Sequence, residues 1–212
     1  MIKKKPYMRL LFGSTNPEKV QRIRNMLADL PVEIVDTMTL GMQIDIAEDG
    51  ATPEVNARIK ALAYYEASRL PALSIDAGLF IDGLPDDRQP GVLVRRIWAG
   101  QKAASDQAML KYYADLIEGL GGQTTGEWTL GIALVPNREQ VYSQSFSSRS
   151  LFVAKPSASL IQGAPLRSLQ VNPDTGQYFS DMTPAELTAV QRERAKGIIC
   201  FVGRFLLQEE GG

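Results

Sequence analysis

The stretch LFGSTNPEKV, residues 11–20, predicts a strand that turns directly into a helix, which is the repeating unit of an α/β fold. Residues 8–12 are predicted as the strand, and apolar residues recur at helical spacing from Pro17 onward. The small polar residues between them either cap the helix or bind an anion, because the first backbone N–H groups of a helix are unpaired and its dipole attracts negative charge. Lys19, one turn into the helix, adds a full positive charge.

Composition narrows the possible functions. The chain has 212 residues, enough for one domain over residues 1–212, and its 23 basic and 24 acidic side chains provide no basic field for nucleic acid. It contains no histidine, which excludes Ser-His-Asp and Cys-His nucleophile systems and His-ligated zinc. Acid–base chemistry must therefore depend on carboxylates, lysines, tyrosines or a metal-bound water.

The sequence shows no sign of export or membrane insertion. The basic residues 1–5 are followed by Pro6 and only a short apolar run, and no apolar stretch reaches the length of a bilayer. We therefore expect a cytoplasmic protein that spans no membrane. The single cysteine, Cys200, lies in an apolar run and is predicted to be a buried thiol.

The remaining pattern predicts an α/β fold around a mixed sheet, in which strands alternate with helices and two long strands form a hairpin. The predicted strands are 8–12, 32–38, 71–85, 126–135 and 139–153. The predicted helices begin at Pro17 and Pro53, after the cap Ser105, at Pro184 and at about Ile198.

Asn56 and Lys60 are four residues apart and therefore share one face of the second helix. The apolar residues Val55, Ile59 and Leu62 leave that face free. It can line a cleft, or it can simply be a solvated polar face.

Carboxylates come just before this helix and in the strand after it. The loop DIAEDG, residues 45–50, includes Glu48, and Asp76 interrupts an otherwise apolar strand. Because an unpaired buried charge is very costly, Asp76 needs a helix N-terminus, a lysine or a magnesium ion as a partner. Purely structural pairing remains an alternative.

Four blocks of the chain resemble the inosine triphosphate pyrophosphatase family. The family's opening [ST]-x-N-x-x-K matches residues 14–19, and its E-N-A-x-x-K-A helix matches AEDGATPEVNARIKA at 47–61. The D-D-S-G-L-x-[IV]-D-x-L strand is similar to SIDAGLFIDGL at 74–84, and P-G-x-x-S-A-R is similar to PGVLVRR at 90–96. The order and spacing of these blocks agree over residues 8–98.

The resemblance implies a central elongated mixed β-sheet with helices packed on it, two lobes flanking a cleft, and a homodimer. It also implies Mg²⁺-dependent hydrolysis of a nucleoside triphosphate. The substrate would be a non-standard purine nucleotide such as ITP or XTP, or a different nucleotide if the base preference of the enzyme is altered. The products would be a nucleoside monophosphate and pyrophosphate.

The resemblance assigns roles to individual residues. Glu48 and Asp76 would hold Mg²⁺, or Mn²⁺ in its place, and Asp76 would also orient or deprotonate the attacking water. Lys19 would act with Asp76 in catalysis by neutralising the charge that develops on the phosphates. The residues implied to bind substrate are Ser14, Thr15, Asn16, Lys19, Asn56, Lys60, Arg96 and Arg192.

Several positions depart from the family pattern. Ile75 stands where the family has its first aspartate, and Ala77 stands where it has serine. These departures leave open a non-catalytic nucleotide-binding protein on the same fold.

The base-recognition segments depart further. The family's F-G-Y-D-P segment falls at residues 163–169, which contain no aromatic residue, and its S-H-R segment falls at 195–198, which contain neither histidine nor arginine. Tyr178 and Phe179 either provide a substitute stacking face or are ordinary packing aromatics.

Overall fold

The computed structural model describes residues 8–97 and 103–208. The basic segment at residues 1–5 lies outside this part. The described residues form six strands, β1 Met8–Phe12, β2 Val32–Asp36, β3 Ala72–Ile81, β4 Gln123–Asn137, β5 Gln140–Val153 and β6 Gln170–Val171. They also form five α-helices, α1 Pro17–Met26, α2 Pro53–Ser68, α3 Asp106–Gly119, α4 Pro184–Arg194 and α5 Lys196–Gln208, and short 3₁₀ turns at Asp86–Arg88 and Pro165–Ser168.

The six strands form one mixed sheet in the order β2-β1-β3-β4-β5-β6. Strand β1 pairs in parallel with β2 and β3, whereas β5 and β6 are antiparallel. The two residues between β4 and β5 make these long strands a hairpin, as their alternating pattern predicts. The predicted α/β class with a mixed sheet is therefore confirmed, and the two-residue strand β6 was not predicted.

The described residues cluster into two compact units. The first unit contains Met1–Asp76, Leu130–Phe146 and Thr188–Gly212, and the second contains Ala77–Thr129 and Ser147–Leu187. Strands β3, β4 and β5 thus contribute residues to both units. The single domain over residues 1–212 stays a prediction.

Each unit has its own apolar core. In the first unit α1 and α5 pack on the sheet through Phe12, Ile23, Leu73, Ile132, Ile198 and Val202. In the second unit α3 packs through Met109, Tyr113 and Ile117 against Leu79, Phe152 and Leu169. The candidate catalytic, metal-binding and substrate-binding residues belong to the first unit with the exception of Arg96.

Helix α2 is oriented differently from the sequence-based expectation. Val55 and Leu62 are 42% and 38% exposed, whereas Asn56 and Lys60 are buried. The buried face also carries Ala57, which packs with other small residues of α2 and β4, Ala61, Ala133 and Val135. Of the two alternatives for this face, the solvated polar face was therefore wrong, and Val55 and Leu62 lie on the exposed side of α2 instead.

The reason is a close approach of α2 to β4. A Cβ atom built on Gly131 of β4 would lie 2.2 Å from the backbone nitrogen of Glu54. At this separation no side chain fits at residue 131, and the face of α2 that carries Ala57 packs inward together with Asn56 and Lys60.

Two further expectations concern the surface. Cys200 is exposed, so the prediction of a buried thiol was wrong. The apolar face of α5 directs Ile198 and Val202 into the core and leaves Cys200 on the outer side of the helix. Among the described residues, no helix is both long enough and apolar enough to cross a bilayer.

Candidate active site

Asp76 lies at the centre of a buried hydrogen-bond network in the first unit. Asp76 is only 6% exposed to solvent. One carboxylate oxygen accepts a hydrogen bond from the Lys60 Nζ at 2.7 Å, and the other accepts from the Asn56 Nδ2 at 3.1 Å. The partner that Asp76 requires is therefore a lysine, and Asn56 and Lys60 do share one helix face.

The neighbouring Ile75 points to the opposite side of β3, because side chains alternate along a strand. It is buried in the apolar core with Leu73 and Ile132. A carboxylate at this position would lie among apolar side chains, so an isoleucine suits it here.

The acidic loop is held against α2 by Asn56 and Lys60. The Asn56 Oδ1 accepts a hydrogen bond from the Gly50 backbone N–H at 2.8 Å, and the Lys60 Nζ lies 3.3 Å from the Glu48 carboxylate. Lys60 thus contacts both carboxylates, Glu48 and Asp76. Asn56 therefore connects the loop to Asp76, because its amide oxygen binds the loop and its amide nitrogen binds the carboxylate.

The turn before α1 is a capped helix start. The Asn16 Oδ1 accepts hydrogen bonds from the backbone N–H groups of Glu18 at 2.9 Å and Lys19 at 3.4 Å. Ser14 Oγ accepts from the Asn16 N–H at 3.2 Å, and Thr37 Oγ1 donates to the Ser14 carbonyl at 3.0 Å. Capping is therefore present, and anion binding by Ser14, Thr15 and Asn16 stays a prediction.

Gly13 brings this turn close to α2. A Cβ atom on Gly13 would lie 2.2 Å from the Tyr64 Cδ2 and 2.5 Å from the Ser74 Oγ. Tyr64 follows Lys60 by one helical turn, so the buried face of α2 runs from Asn56 through Lys60 to Tyr64. Burial, and then the charge of Glu48, raises the pKa of the Tyr64 phenol, which therefore keeps its proton.

Lys19 brings a further charge to the same group of residues. Burial of its ammonium group, followed by the positive charges of Lys60 and Arg22, lowers the pKa of Lys19 to about 8. Asp76 and Glu48 act in the opposite direction. Lys19 therefore lies within electrostatic reach of both carboxylates, and the structure brings together Lys19, Glu48, Asn56, Lys60 and Asp76.

The two remaining predicted arginines have different surroundings. Arg192 forms an ion pair with Asp29. Arg96 belongs to the second unit and its side chain is exposed. The preceding residue, Arg95, donates hydrogen bonds to the Asp106 carboxylate at 2.9 Å and to the Gly163 carbonyl at 2.9 Å.

The aromatic pair at 178–179 packs inside the second unit. Phe179 is 4% exposed, and the Tyr178 hydroxyl donates to the Lys155 carbonyl at 2.9 Å. Of the two interpretations, ordinary packing is the one that fits Phe179.

Three residues near the site were missed by the sequence analysis, namely Thr37, Tyr64 and Arg22. The position of Tyr64, four residues after Lys60, was a usable signal. Thr37 lies near the end of a predicted strand and touches the turn only through the tertiary fold, so nothing local marked it.

Among the described residues, no group of three or more His, Cys, Asp or Glu side chains is placed to hold a metal ion. Glu48 and Asp76, which share Lys60, supply two carboxylates. Magnesium is commonly bound by one or two carboxylates, with waters and substrate phosphates completing its octahedron, so this donor set suits Mg²⁺ better than a fully protein-ligated ion.

The fold is that of solved Ham1-type structures. The HAM1 protein from Coxiella burnetii superposes with a TM-score of 0.73 at 23% identity, over 95% of this chain and 99% of that one. A nucleoside-triphosphatase / dITP/XTP pyrophosphatase from Mycobacterium abscessus superposes with a TM-score of 0.65 at 23% identity, over 92% and 98%. At this identity the likeness concerns the fold alone.

The sequence comparisons identify the family. Residues 10–147 match the model of the Ham1 family, and the chain belongs to that family. The dITP/XTP pyrophosphatase of Anaeromyxobacter dehalogenans (strain 2CP-C) is 45% identical over 78 residues, 36% of this chain and 33% of that protein. The enzyme of the same name from Thermoanaerobacter sp. (strain X514) is 33% identical over 133 residues, 63% of this chain and 65% of that protein.

The matched region thus covers from about a third to just under two thirds of these curated relatives. The family predicted from the four sequence blocks is confirmed.

Proposed function

We propose that the protein is a Mg²⁺-dependent nucleoside triphosphate pyrophosphatase, which hydrolyses its substrate to a nucleoside monophosphate and pyrophosphate. The observation that carries this proposal is the buried Asp76, bonded to Lys60 and Asn56 and lying beside Glu48 and Lys19. The name dITP/XTP pyrophosphatase of the relatives supports the same reaction.

Each residue has a defined task in this reaction. The Asp76 carboxylate orients the attacking water and accepts its proton, and Asn56 holds that carboxylate in place through one oxygen. Lys19 and Lys60 pair with the phosphate oxygens, on which negative charge accumulates. The turn Ser14–Thr15–Asn16 lies at the positive end of the α1 dipole and binds the phosphate groups of the same substrate.

The outer contacts are proposed for Arg96 and Arg192. A guanidinium group binds phosphate through two parallel hydrogen bonds, so Arg96 with its exposed side chain suits a phosphate clamp. Arg192 would have to exchange its ion pair with Asp29 for a contact to substrate.

Glu48 and Asp76 would hold the magnesium ion. When bound, Mg²⁺ supplies positive charge that polarises the phosphate oxygens. Lys60 contacts both carboxylates in this structure and keeps them close together at little electrostatic cost. This arrangement presents two hard oxygen donors on the same side of the site.

We propose that base preference differs from that of the named relatives. The segment 163–169 forms a short 3₁₀ turn whose Leu166, Arg167 and Ser168 are buried, and Phe179 is buried as well. A purine therefore lacks the aromatic partner that the family motif provides at this position.

A non-catalytic nucleotide-binding protein on the same fold is the second candidate. The observation that favours it is Ile75, a core residue at the position of a family aspartate. The homodimer and the cytoplasmic location stay predictions.

The decisive experiment is a pyrophosphate-release assay with ITP, XTP, ATP, GTP, dUTP and the deoxy forms of the purines in Mg²⁺. We expect a nucleoside monophosphate and pyrophosphate in equal amounts from at least one of them. Tight triphosphate binding by calorimetry without any turnover would establish the binding protein instead. The release of inorganic phosphate rather than pyrophosphate would contradict the proposed bond cleavage.

The metal assignment is tested by magnesium titration of two neighbouring carboxylates. Glu48→Gln should raise the Mg²⁺ concentration at half-maximal activity on the order of tenfold, because it removes one of two charged donors. Asp49→Asn is the matched control, since Asp49 is exposed next to Glu48 and should leave the titration unchanged. Equal titrations for both variants and the native protein would rule out Glu48 as a ligand.

A further inference from the structure

The ammonium group of Lys60 contacts both carboxylates of the site, Glu48 and Asp76. Its Nζ lies 2.7 Å from the Asp76 Oδ1 and 3.3 Å from the Glu48 Oε2. The side chains of Lys60 and Asp76 are each 9% exposed, so these two charges are largely removed from water. One positive charge is therefore already bound to the two carboxylates that the proposed function assigns to the metal.

Hydrogen bonds hold both carboxylates beside Lys60. The second oxygen of Asp76 accepts from the Asn56 Nδ2 at 3.1 Å, so the carboxylate cannot turn away from Lys60 without losing this bond. The loop that carries Glu48 is tied to α2 at Gly50, whose backbone N–H donates to the Asn56 Oδ1 at 2.8 Å. The ammonium group, a point charge on a flexible four-carbon stem, is therefore the part of this group that moves most easily.

A divalent cation bound by the same carboxylates would compete with this ammonium group. Because the Nζ contacts both Glu48 and Asp76, any cation bound by both of them would also lie close to the Nζ. Like charges repel strongly where little water is present to screen them. The contacts of Lys60 would therefore weaken metal binding for as long as they persist.

We infer that Lys60 withholds Glu48 and Asp76 from the metal, and that a bound polyphosphate releases them by drawing the ammonium group onto its own oxygens. The inference rests on the proposed function, which assigns Lys60 to the phosphates and the two carboxylates to the metal. Lys60 therefore has two alternative sets of partners, and its single ammonium group leaves one set as it joins the other. Metal and polyphosphate then bind cooperatively, because each ligand favours the arrangement that the other requires.

The direct test measures metal binding by the nucleotide-free protein, with Mn²⁺ as the probe and the electron paramagnetic resonance signal of free Mn²⁺ as the readout. Lys60→Met should bind Mn²⁺ about tenfold more tightly than the native protein, because the competing positive charge is gone. Lys60→Arg should bind no more tightly than the native protein, since it keeps that charge.

Arg58→Met is the matched control for the loss of a positive charge from α2. Arg58 is exposed and donates to the Ser143 hydroxyl rather than to a carboxylate of the site. Its substitution should change the Mn²⁺ affinity by about twofold or less, because exposed charges are screened by salt.

The release of the carboxylates is tested by repeating the Mn²⁺ titration with inorganic tripolyphosphate present. Chelation of Mn²⁺ by tripolyphosphate is measured without protein and subtracted. The Mn²⁺ affinity of the native protein should then rise, and the rise should be smaller in Lys60→Met, which has no ammonium group to be drawn away. An equal rise in both proteins would contradict the exchange of partners.

Urea unfolding gives a readout that does not require Lys60→Met to be fully stable. The variant should be less stable than the native protein in EDTA, because Glu48 and Asp76 have lost their cation. Mg²⁺ should restore part of this loss, since a ligand that binds only the folded state stabilises it. The native protein should gain less from the same Mg²⁺ concentration.

Four results would overturn the inference. The first is Mn²⁺ binding by Lys60→Met that is absent, weaker than in the native protein or equal to it, since Lys60 then does not oppose the metal. The second is an equal gain in Arg58→Met, and the third is an equal gain in Lys60→Arg. The fourth is a Lys60→Met variant that stays unfolded in Mg²⁺, because a divalent cation then does not take the place of the ammonium group.

Pyrophosphate release tests the proposed function separately. If the native protein releases pyrophosphate but Lys60→Met binds Mn²⁺ as the native protein does, the inference fails and the function stands. If loss of Lys60 tightens Mn²⁺ binding but the native protein hydrolyses no nucleoside triphosphate, the function fails and the competition between Lys60 and the metal stands.

Discussion

Asp76 in the first unit and Asp106 in the second each pair with a basic side chain, but the remaining partners differ. Within the part of the chain that the structure describes, the partners of Asp76 are the side chains of Lys60 and Asn56. Asp106 and Arg95 mainly bind the backbone of a distant loop, where Asp106 accepts from the Gly163 N–H at 2.6 Å and Arg95 donates to the Gly163 carbonyl at 2.9 Å.

Under the proposed function, this contrast distinguishes a reactive site around Asp76 from a structural clamp around Asp106. Backbone partners cannot leave without moving the loop, so the Arg95–Asp106 pair holds residues 95, 104–106 and 163 together. Side-chain partners can exchange, so under the proposed function Asp76 and Lys60 would release one another when substrate binds. Similar ion pairs therefore serve different purposes according to what else they bind.

The largest effect is expected for Asp76→Asn. It should lower kcat on the order of 10³-fold, because the substituted amide can still accept from Lys60 but cannot take a proton from water. The free energy of unfolding should fall by about 1–3 kcal/mol, because the new Nδ2 replaces one of the two oxygens that accept from Lys60 and Asn56 and leaves one of these buried donors without an acceptor. Pyrophosphate release and urea unfolding measure the two quantities. A variant that loses stability but keeps its activity would make Asp76 structural, like Asp106.

Gly13→Ala should disturb the first unit sterically. The new methyl group would overlap the Tyr64 ring and the Ser74 hydroxyl, and overpacking of this kind costs about 2 kcal/mol. Activity should fall as well, because the turn before α1 moves relative to Lys60. Gly119→Ala is the control, since a Cβ there meets no atom within 4 Å, and it should be neutral or stabilising in urea unfolding. If Gly13→Ala unfolds like the native protein, the close approach to Tyr64 is not a constraint.

The adjacent arginines of the second unit should respond in opposite ways. Arg95→Met should lower the free energy of unfolding by about 2 kcal/mol, because it leaves Asp106 without its cation and the Gly163 carbonyl without its donor. Arg96→Met should change stability by less than about 0.5 kcal/mol and raise KM instead. Parallel unfolding curves and kinetics test this pair. Equal stability of the two variants would contradict the clamp, and an unchanged KM would remove Arg96 from the phosphate contacts.

The smallest effect expected is a pH dependence due to Lys19. Its pKa of about 8 lies below its usual value of 10.5, so its charge is lost above pH 8 and kcat/KM for a triphosphate should decrease there. Lys19→Met should lack this inflection in the pH profile.

Stability should follow the same group with the opposite sign. Between pH 8 and 10.5 the unfolded state binds the Lys19 proton more strongly than the folded state does, so the contribution of Lys19 to the free energy of unfolding rises with pH in this window. Comparison of native and Lys19→Met unfolding across these pH values isolates it. A difference that is constant with pH would show that the pKa of Lys19 is not lowered.

Much of the site was predictable because its parts are local in sequence. The capped turn before α1, the common face of Asn56 and Lys60, and the need of Asp76 for a partner all follow from spacing within one element. The partnership of Lys60 with Asp76 was one of three alternatives, and only the packing of α2 on the sheet decided between them.

The less predictable parts depend on contacts between distant segments. The sequence pattern does not distinguish Arg95 from Arg96. The hydrogen bond to the loop at Gly163 shows that Arg95 is the one that holds the structure together. Thr37 supports the turn before α1 only because β2 ends beside it. No periodicity within a single element carries this information.

By itself the sequence determined the α/β class, the family and most residues that meet around Asp76, because strand and helix periods and motif spacing are local properties. The tertiary structure decided which way α2 faces. Its close contact with β4 admits no side chain at residue 131, and the buried Asp76 carboxylate requires Lys60. These two demands together outweigh the cost of leaving Val55 and Leu62 in water.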